Sequence, residues 1–190
     1  MNKNLEKAVR IIKKGGIVIF PTDTAFGIGC RIDDSRAIEK LFKLRRRSKD
    51  KAVPVLVSSI KMAEEYVKEI NPETRMLMKK YWPGGLTIIL NCKKEKVPNM
   101  VRGGGNTIGI RTPGHKTIRE LIRKVGIPII APSANFSGEK TPFKVSELDA
   151  SLVRQVAFVL PGRCKLKKAS TVVDCSRKPY KILRQGAVNL

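Results

Sequence analysis

The sequence predicts an α/β fold: a single-domain, twisted mixed sheet with flanking helices. Three observations predict it. Short apolar runs of strand length alternate with segments whose apolar residues recur at helical spacing. The chain has 190 residues, and no Pro-, Gly- or Ser-rich stretch or internal repeat divides it, so residues 1–190 read as one domain. Hydrophobic residues make up 42% of the chain, enough for a core and too many for a disordered basic tail.

Each element has its own signature. Leu5, Ala8, Val9 and Ile12 fall on one face of a helix that Gly15-Gly16 ends. Ile17–Phe20 reads as a strand closed by Pro21, and PTDTAFGIG reads as a turn-rich segment. Asp34 or Ser35 caps a second helix with Ile38, Leu41 and Phe42 inward, running into Arg45-Arg46-Arg47. Val53–Val57 reads as a buried strand. Asn71-Pro72 pairs a cap with proline at the first helical position, and that helix stops near Trp82-Pro83-Gly84-Gly85. Strands follow at Leu86–Asn91 and, after a loop holding Gly103-Gly104-Gly105, at Thr107–Arg111. The glycine loop lacks GxGxxG spacing and reads as a flexible lid or hairpin loop. Ile118, Leu121, Ile122 and Val125 repeat the helical spacing up to Gly126. Ile127–Ala131, Val156–Leu160, Thr171–Cys175 and Lys181–Arg184 are the remaining strands.

Composition excludes several function classes. No apolar run approaches the roughly 18–20 residues that cross a bilayer, and the N-terminal stretch carries charge where a secretory leader needs its apolar core. The expectation is a cytoplasmic protein with no membrane partner. Cys30, Cys92, Cys164 and Cys175 form no CxxC pair and His115 is the single histidine, so no metal ligand is assigned and a Ser-His-Asp triad would have to use that one residue. A P-loop signature is absent. The 39 Lys+Arg against 16 Asp+Glu leave a net charge of +23, which suits an anionic partner.

Polar clusters stand just past strand ends, where open α/β sheets bind ligands: Thr22-Asp23-Thr24, Arg111, and Ser133-Ala134-Asn135. Residues 43–51, KLRRRSKDK, carry six basic residues and one acid. Arg45 and Arg47 would form a fork for phosphate only if the helix breaks there, because residues two apart do not share a helical face.

In order, GGIVIFPTDTAFGIGC, LRRRSKDKAVPVLV, YWPGGLTIIL, TIGIRTPGH, APSANFSG, STVVDC and ILRQGAV resemble the YrdC-type threonylcarbamoyl-AMP synthase family. They span Gly15 to Val188, and the chain resembles the short form without a further C-terminal domain. The resemblance implies a YrdC-like fold with a basic concave cavity. It implies an enzyme, a nucleotidyltransferase that makes threonylcarbamoyl-adenylate and pyrophosphate from L-threonine, bicarbonate and ATP. A partner transferase then moves the threonylcarbamoyl group to tRNA, forming t6A. By the same resemblance Arg45, Arg47 and Lys51 are catalytic groups on the triphosphate, and Thr107, Asn135, Thr141 and Arg184 also contact ATP. Arg111 pairs with the threonine carboxylate, beside Thr24, Ser133 and Ser170. Mg²⁺ is the expected cofactor, held mainly by phosphate and water oxygens.

Two departures stand out. Arg45 occupies a position where the family usually has lysine, and Ser48 stands where a proline commonly follows. A non-synthase paralogous branch resembling YciO shares the first trait and is one alternative. An RNA-binding module with a YrdC-like fold, suggested by the charge and open to direct tRNA contact, is the other.

Overall fold

The computed structural model describes residues 2–190. The order of elements is α1 (Lys3–Lys13), β1 (Val18–Pro21), β2 (Phe26–Arg31), α2 (Ser35–Leu44), β3 (Val55–Leu56), α3 (Ile60–Glu64), α4 (Pro72–Tyr81), β4 (Leu86–Asn91), β5 (Thr107–Arg111), α5 (Lys116–Val125), β6 (Ile129–Ile130), a 3₁₀ turn (Val145–Glu147), α6 (Ala150–Arg154), β7 (Phe158–Val159), β8 (Thr171–Asp174) and β9 (Lys181–Arg184). The strands form one mixed sheet in the order β7-β1-β2-β6-β3-β5-β4-β8-β9. β1·β7, β3·β5 and β4·β8 run parallel and the other neighbours antiparallel.

The sheet is covered on both faces, and β1 shows how. Alternate residues of a strand point to opposite faces, so Val18 and Phe20 join one buried cluster while Ile17 and Ile19 join another. The first cluster receives Leu5, Ala8, Val9 and Ile12 of α1 together with Ile118, Leu121, Ile122 and Val125 of α5. The second receives Ile38, Leu41 and Phe42 of α2, Ala63 of α3, Met78 of α4 and Leu152 of α6. The apolar stripes read from the sequence are therefore the faces that meet the sheet.

The caps follow side-chain chemistry. Asp34, not Ser35, caps α2 and accepts from Ala37 N at 2.9 Å. Asn71 caps α4 and accepts from Thr74 N at 2.9 Å, with Pro72 in the first turn. Trp82 ends α4, buried, with its indole N–H donating to Leu86 O at 2.7 Å.

The strands read at 53–57, 127–131 and 156–160 shorten to the two-residue β3, β6 and β7, and one further segment differs from its sequence reading. The turn in PTDTAFGIG occupies residues 22–25 only, where Thr22 Oγ1 accepts from Thr24 N and Ala25 N at 3.2 and 3.1 Å. From Phe26 onward the chain is a strand in register with β1, Val18 opposite Gly29. Gly29 marks a close approach, since a Cβ there would collide with the Ile130 carbonyl of the neighbouring strand. The short α3 and α6, five residues each, had no periodic signature to read.

Candidate active site

A cavity of about 220 Å³ opens where several of these element ends converge. Eight of the eleven residues given site roles by the resemblance line it: Thr24, Arg45, Arg47, Arg111, Ser133, Thr141, Ser170 and Arg184. They come from the β1–β2 turn, the end of α2, the end of β5, the loops after β6, the residue before β8 and the end of β9. The cavity is walled by four arginines and no carboxylate.

At one end sits Arg111, 5% exposed. Its Nε donates to Gly84 O at 2.8 Å, one terminal nitrogen donates to Thr24 Oγ1 at 2.7 Å, and the other pairs with Asp23. Burial pushes its pKa down, and Asp23 opposes that shift. A guanidinium carries five N–H groups, so these three bonds leave two uncommitted on a residue that lines the cavity. Asp23 is buried behind Arg111, and its second carboxylate oxygen has no partner among the described residues. Nearby His115 begins α5 without a side-chain capping bond; its buried Nδ1 has no partner there either, and burial lowers its pKa.

At the other end, α2 breaks as the fork requires. Arg45 caps the helix, Arg46 turns left-handed at φ +51°, and Arg45 and Arg47 both reach the cavity. Arg45 is 2% exposed; its Nε donates to Asn135 O at 3.0 Å and a terminal nitrogen to Asn135 Oδ1 at 3.3 Å. The remaining terminal nitrogen is buried with no partner. Burial, and then the neighbouring Arg47, push the Arg45 pKa down to about 10, so the group stays charged at neutral pH. Arg47 donates to the carbonyls of Lys51 and Ala52 at 3.1 and 2.6 Å. Gly103 lies against this stretch, because a Cβ on it would stand 2.5 Å from Asp50 O and 2.6 Å from Ala52 N. The glycine loop is thus a brace within the β4–β5 hairpin connection, held further by Val53 N donating to Val101 O at 3.0 Å.

Between the two ends, Arg184 donates to Ser170 O at 2.9 Å and Ser170 Oγ at 3.0 Å. Ser170 Oγ also lies 2.9 Å from Thr87 Oγ1. Thr87 was not singled out from the sequence; its trace there is a lone polar residue inside the apolar run LTIIL. Asp23 was noticed only as part of a polar cluster, with no partner for its charge.

The other three residues given site roles lie outside the cavity lining. Lys51 is exposed, and its carbonyl, not its ammonium, holds Arg47. Thr107 opens β5 at the end opposite Arg111, about 13 Å away at strand rise. Asn135 is buried, with Oδ1 taken by Arg45 and Nδ2 donated to the carbonyls of Phe136 and Glu139 at 3.0 and 2.7 Å.

A pocket whose walls are cationic, hydroxyl-bearing and free of carboxylate is built for a polyanion with a hydrogen-bonding tail. Residues 10–186 match the Sua5/yciO/yrdC family model, described as "Telomere recombination". The chain belongs to the Sua5/YciO/YrdC family. The threonylcarbamoyl-AMP synthase of Pyrococcus abyssi is 34% identical over 184 residues, 96% of this chain and 54% of that protein. The putative threonylcarbamoyl-AMP synthase of Methanocaldococcus jannaschii is 34% identical and matches 98% of this chain and 87% of its own length. This chain spans about half the length of the Pyrococcus abyssi and Bacillus subtilis family members. Among solved structures, P. abyssi Sua5 complexed with L-threonine superposes with a TM-score of 0.88 at 32% identity, covering 96% of this chain and 54% of that one. E. coli YciO superposes at 0.82 with 27% identity, covering 96% and 88%.

Among the described residues no group of three or more His, Cys, Asp or Glu side chains is placed to hold a metal ion. No helix among them is long and apolar enough to cross a membrane.

Proposed function

We propose that the protein is a threonylcarbamoyl-AMP synthase, forming the adenylate and pyrophosphate from L-threonine, bicarbonate and ATP. The observation that carries this reading is the convergence of Arg45, Arg47, Arg111 and Arg184 on one cavity without a carboxylate. Relatives named for that activity, and a family structure with L-threonine bound, support it.

The threonine amine condenses with bicarbonate with loss of water, and an oxygen of the resulting N-carboxylate attacks the α-phosphorus as the bond to the pyrophosphate oxygen breaks. No protein nucleophile takes part, so the task is alignment and neutralisation of developing charge. Arg45 and Arg47 bind the triphosphate and stabilise the departing pyrophosphate, and Arg184 and Thr141 close on the nucleotide. The two free N–H groups of Arg111 take the threonine carboxylate, with the hydroxyls of Thr24, Ser133 and Ser170 around the amino acid. Asn135 serves ATP through Arg45. Mg²⁺ brought in with ATP would add charge neutralisation; the lining offers no carboxylate, so phosphate and water oxygens would hold it. The product passes to a transferase that forms t6A, in the cytoplasm with the tRNA pool, and the +23 charge assists direct tRNA contact.

Pyrophosphate release from Mg-ATP, measured with and without threonine and bicarbonate, tests the reading. Release that requires both is expected. ATP binding without release would overturn it in favour of a non-synthase role like that considered for the YciO-like branch.

A further inference from the structure

The middle residue of the Arg45-Arg46-Arg47 run has no task in the reading above. Arg46 does not line the cavity, yet it is one of two non-glycine residues with positive φ among those described. It sits one residue past the α2 cap. Arg46 N donates to Lys43 O at 3.0 Å and Arg47 N to Phe42 O at 2.9 Å, the paired bonds of a Schellman closure. That position usually holds glycine, because a left-handed backbone crowds a Cβ. A compensating contact is present: the Arg46 guanidinium lies over the Phe136 ring, 4.3 Å from its centroid.

Phe136 belongs to a segment that grips the turn at three points. Asn135 holds the Arg45 guanidinium, Phe136 stacks under Arg46, and Ser137 N donates to Arg45 O at 2.8 Å. Residues 135–137 thus fasten the left-handed turn from about 90 positions away in sequence. The turn matters because a continued helix would send Arg45 and Arg47 roughly 200° apart around its axis. With Arg46 left-handed, both reach one cavity.

We infer that Arg46 and Phe136 are positioning residues, a clasp that holds the Arg45–Arg47 fork in the geometry that receives phosphate without touching the ligand. The inference rests on reading that fork as the triphosphate site.

Inorganic tripolyphosphate is the probe, titrated by calorimetry at fixed salt, alongside the KM values for ATP and threonine. Phe136→Leu leaves the charge unchanged and removes the ring. It should weaken tripolyphosphate binding and raise the ATP KM about two- to fivefold, the worth of a cation–π contact whose cation is exposed. The threonine KM should not move. Phe136→Tyr should restore wild-type values. Arg46→Gly, which suits the turn and threatens no core packing, should weaken tripolyphosphate binding by a similar factor. Wild-type binding in both Phe136→Leu and Arg46→Gly would overturn the clasp; so would failure of Phe136→Tyr to rescue, or a parallel rise in the threonine KM. A wild-type protein that binds tripolyphosphate but releases no pyrophosphate refutes the synthase reading, and the clasp is then decided by the titrations alone. A wild-type protein that binds no tripolyphosphate refutes both.

Discussion

Arg111 and Arg45 are both almost wholly withdrawn from solvent, at 5% and 2% exposure, yet the protein compensates them in opposite ways. Arg111 meets a carboxylate, a hydroxyl and a carbonyl. Arg45 meets only the carbonyl and amide oxygens of Asn135, keeps one terminal nitrogen unpartnered, and faces a second arginine. A buried cation with an ion partner is part of the scaffold as well as the site. A buried cation without one is held ready for a charge that arrives from outside. The difference separates the Arg111 end of the cavity, whose cation is satisfied within the protein, from the Arg45 end, whose cation keeps an unpartnered nitrogen; under the proposed function these are the amino-acid end and the phosphate end.

Three substitutions break or sharpen that contrast. The largest effect is expected at the paired end: Asp23→Ala strands the Arg111 charge and should destabilise the fold by about 3–5 kcal/mol, read from the urea midpoint. A midpoint like the wild type's would mean that Thr24 and Gly84 suffice. At the unpaired end, Arg45→Met should leave stability within about 1 kcal/mol, since it removes an uncompensated charge along with its bonds to Asn135. The same change should weaken ATP binding by about 2–3 kcal/mol, as loss of one preorganised cation does. Loss of stability without loss of ATP affinity would erase the distinction. The smallest effect is expected from Gly103→Ala, where a left-handed backbone at φ +58° and the crowded Asp50 and Ala52 backbone force the 50–52 stretch to move. The carbonyls holding Arg47 move with it, so the ATP KM should rise by about 1 kcal/mol in binding terms, with the threonine KM unchanged. Equal rises in both would make the glycine loop a brace for the whole cavity.

Most of the scaffold was legible because apolar spacing reports burial directly: the stripes of α1, α2 and α5 are the faces that meet the sheet. β2 was not, because Gly27 and Gly29 look like turn residues, and only the neighbouring strand reveals that Gly29 makes room for a carbonyl. The break at Arg46 was legible as a condition, since Arg45 and Arg47 could converge no other way. Its fastening was not, because Phe136 and Asn135 meet it only after folding. Asp23 as the partner of Arg111 was hidden for the same reason, lying 88 positions away. Thr107 and Arg111 share one strand motif, and the string of letters does not say which end of β5 meets the cavity.

The cavity walls are stitched together by contacts distant along the chain: Gly27 with Ser133, Arg45 with Asn135, Arg111 with Thr24. A half-folded chain therefore owns every residue of the site and none of its geometry. A ligand held by these walls binds only the folded chain, so its binding stabilises the whole sheet rather than a local loop.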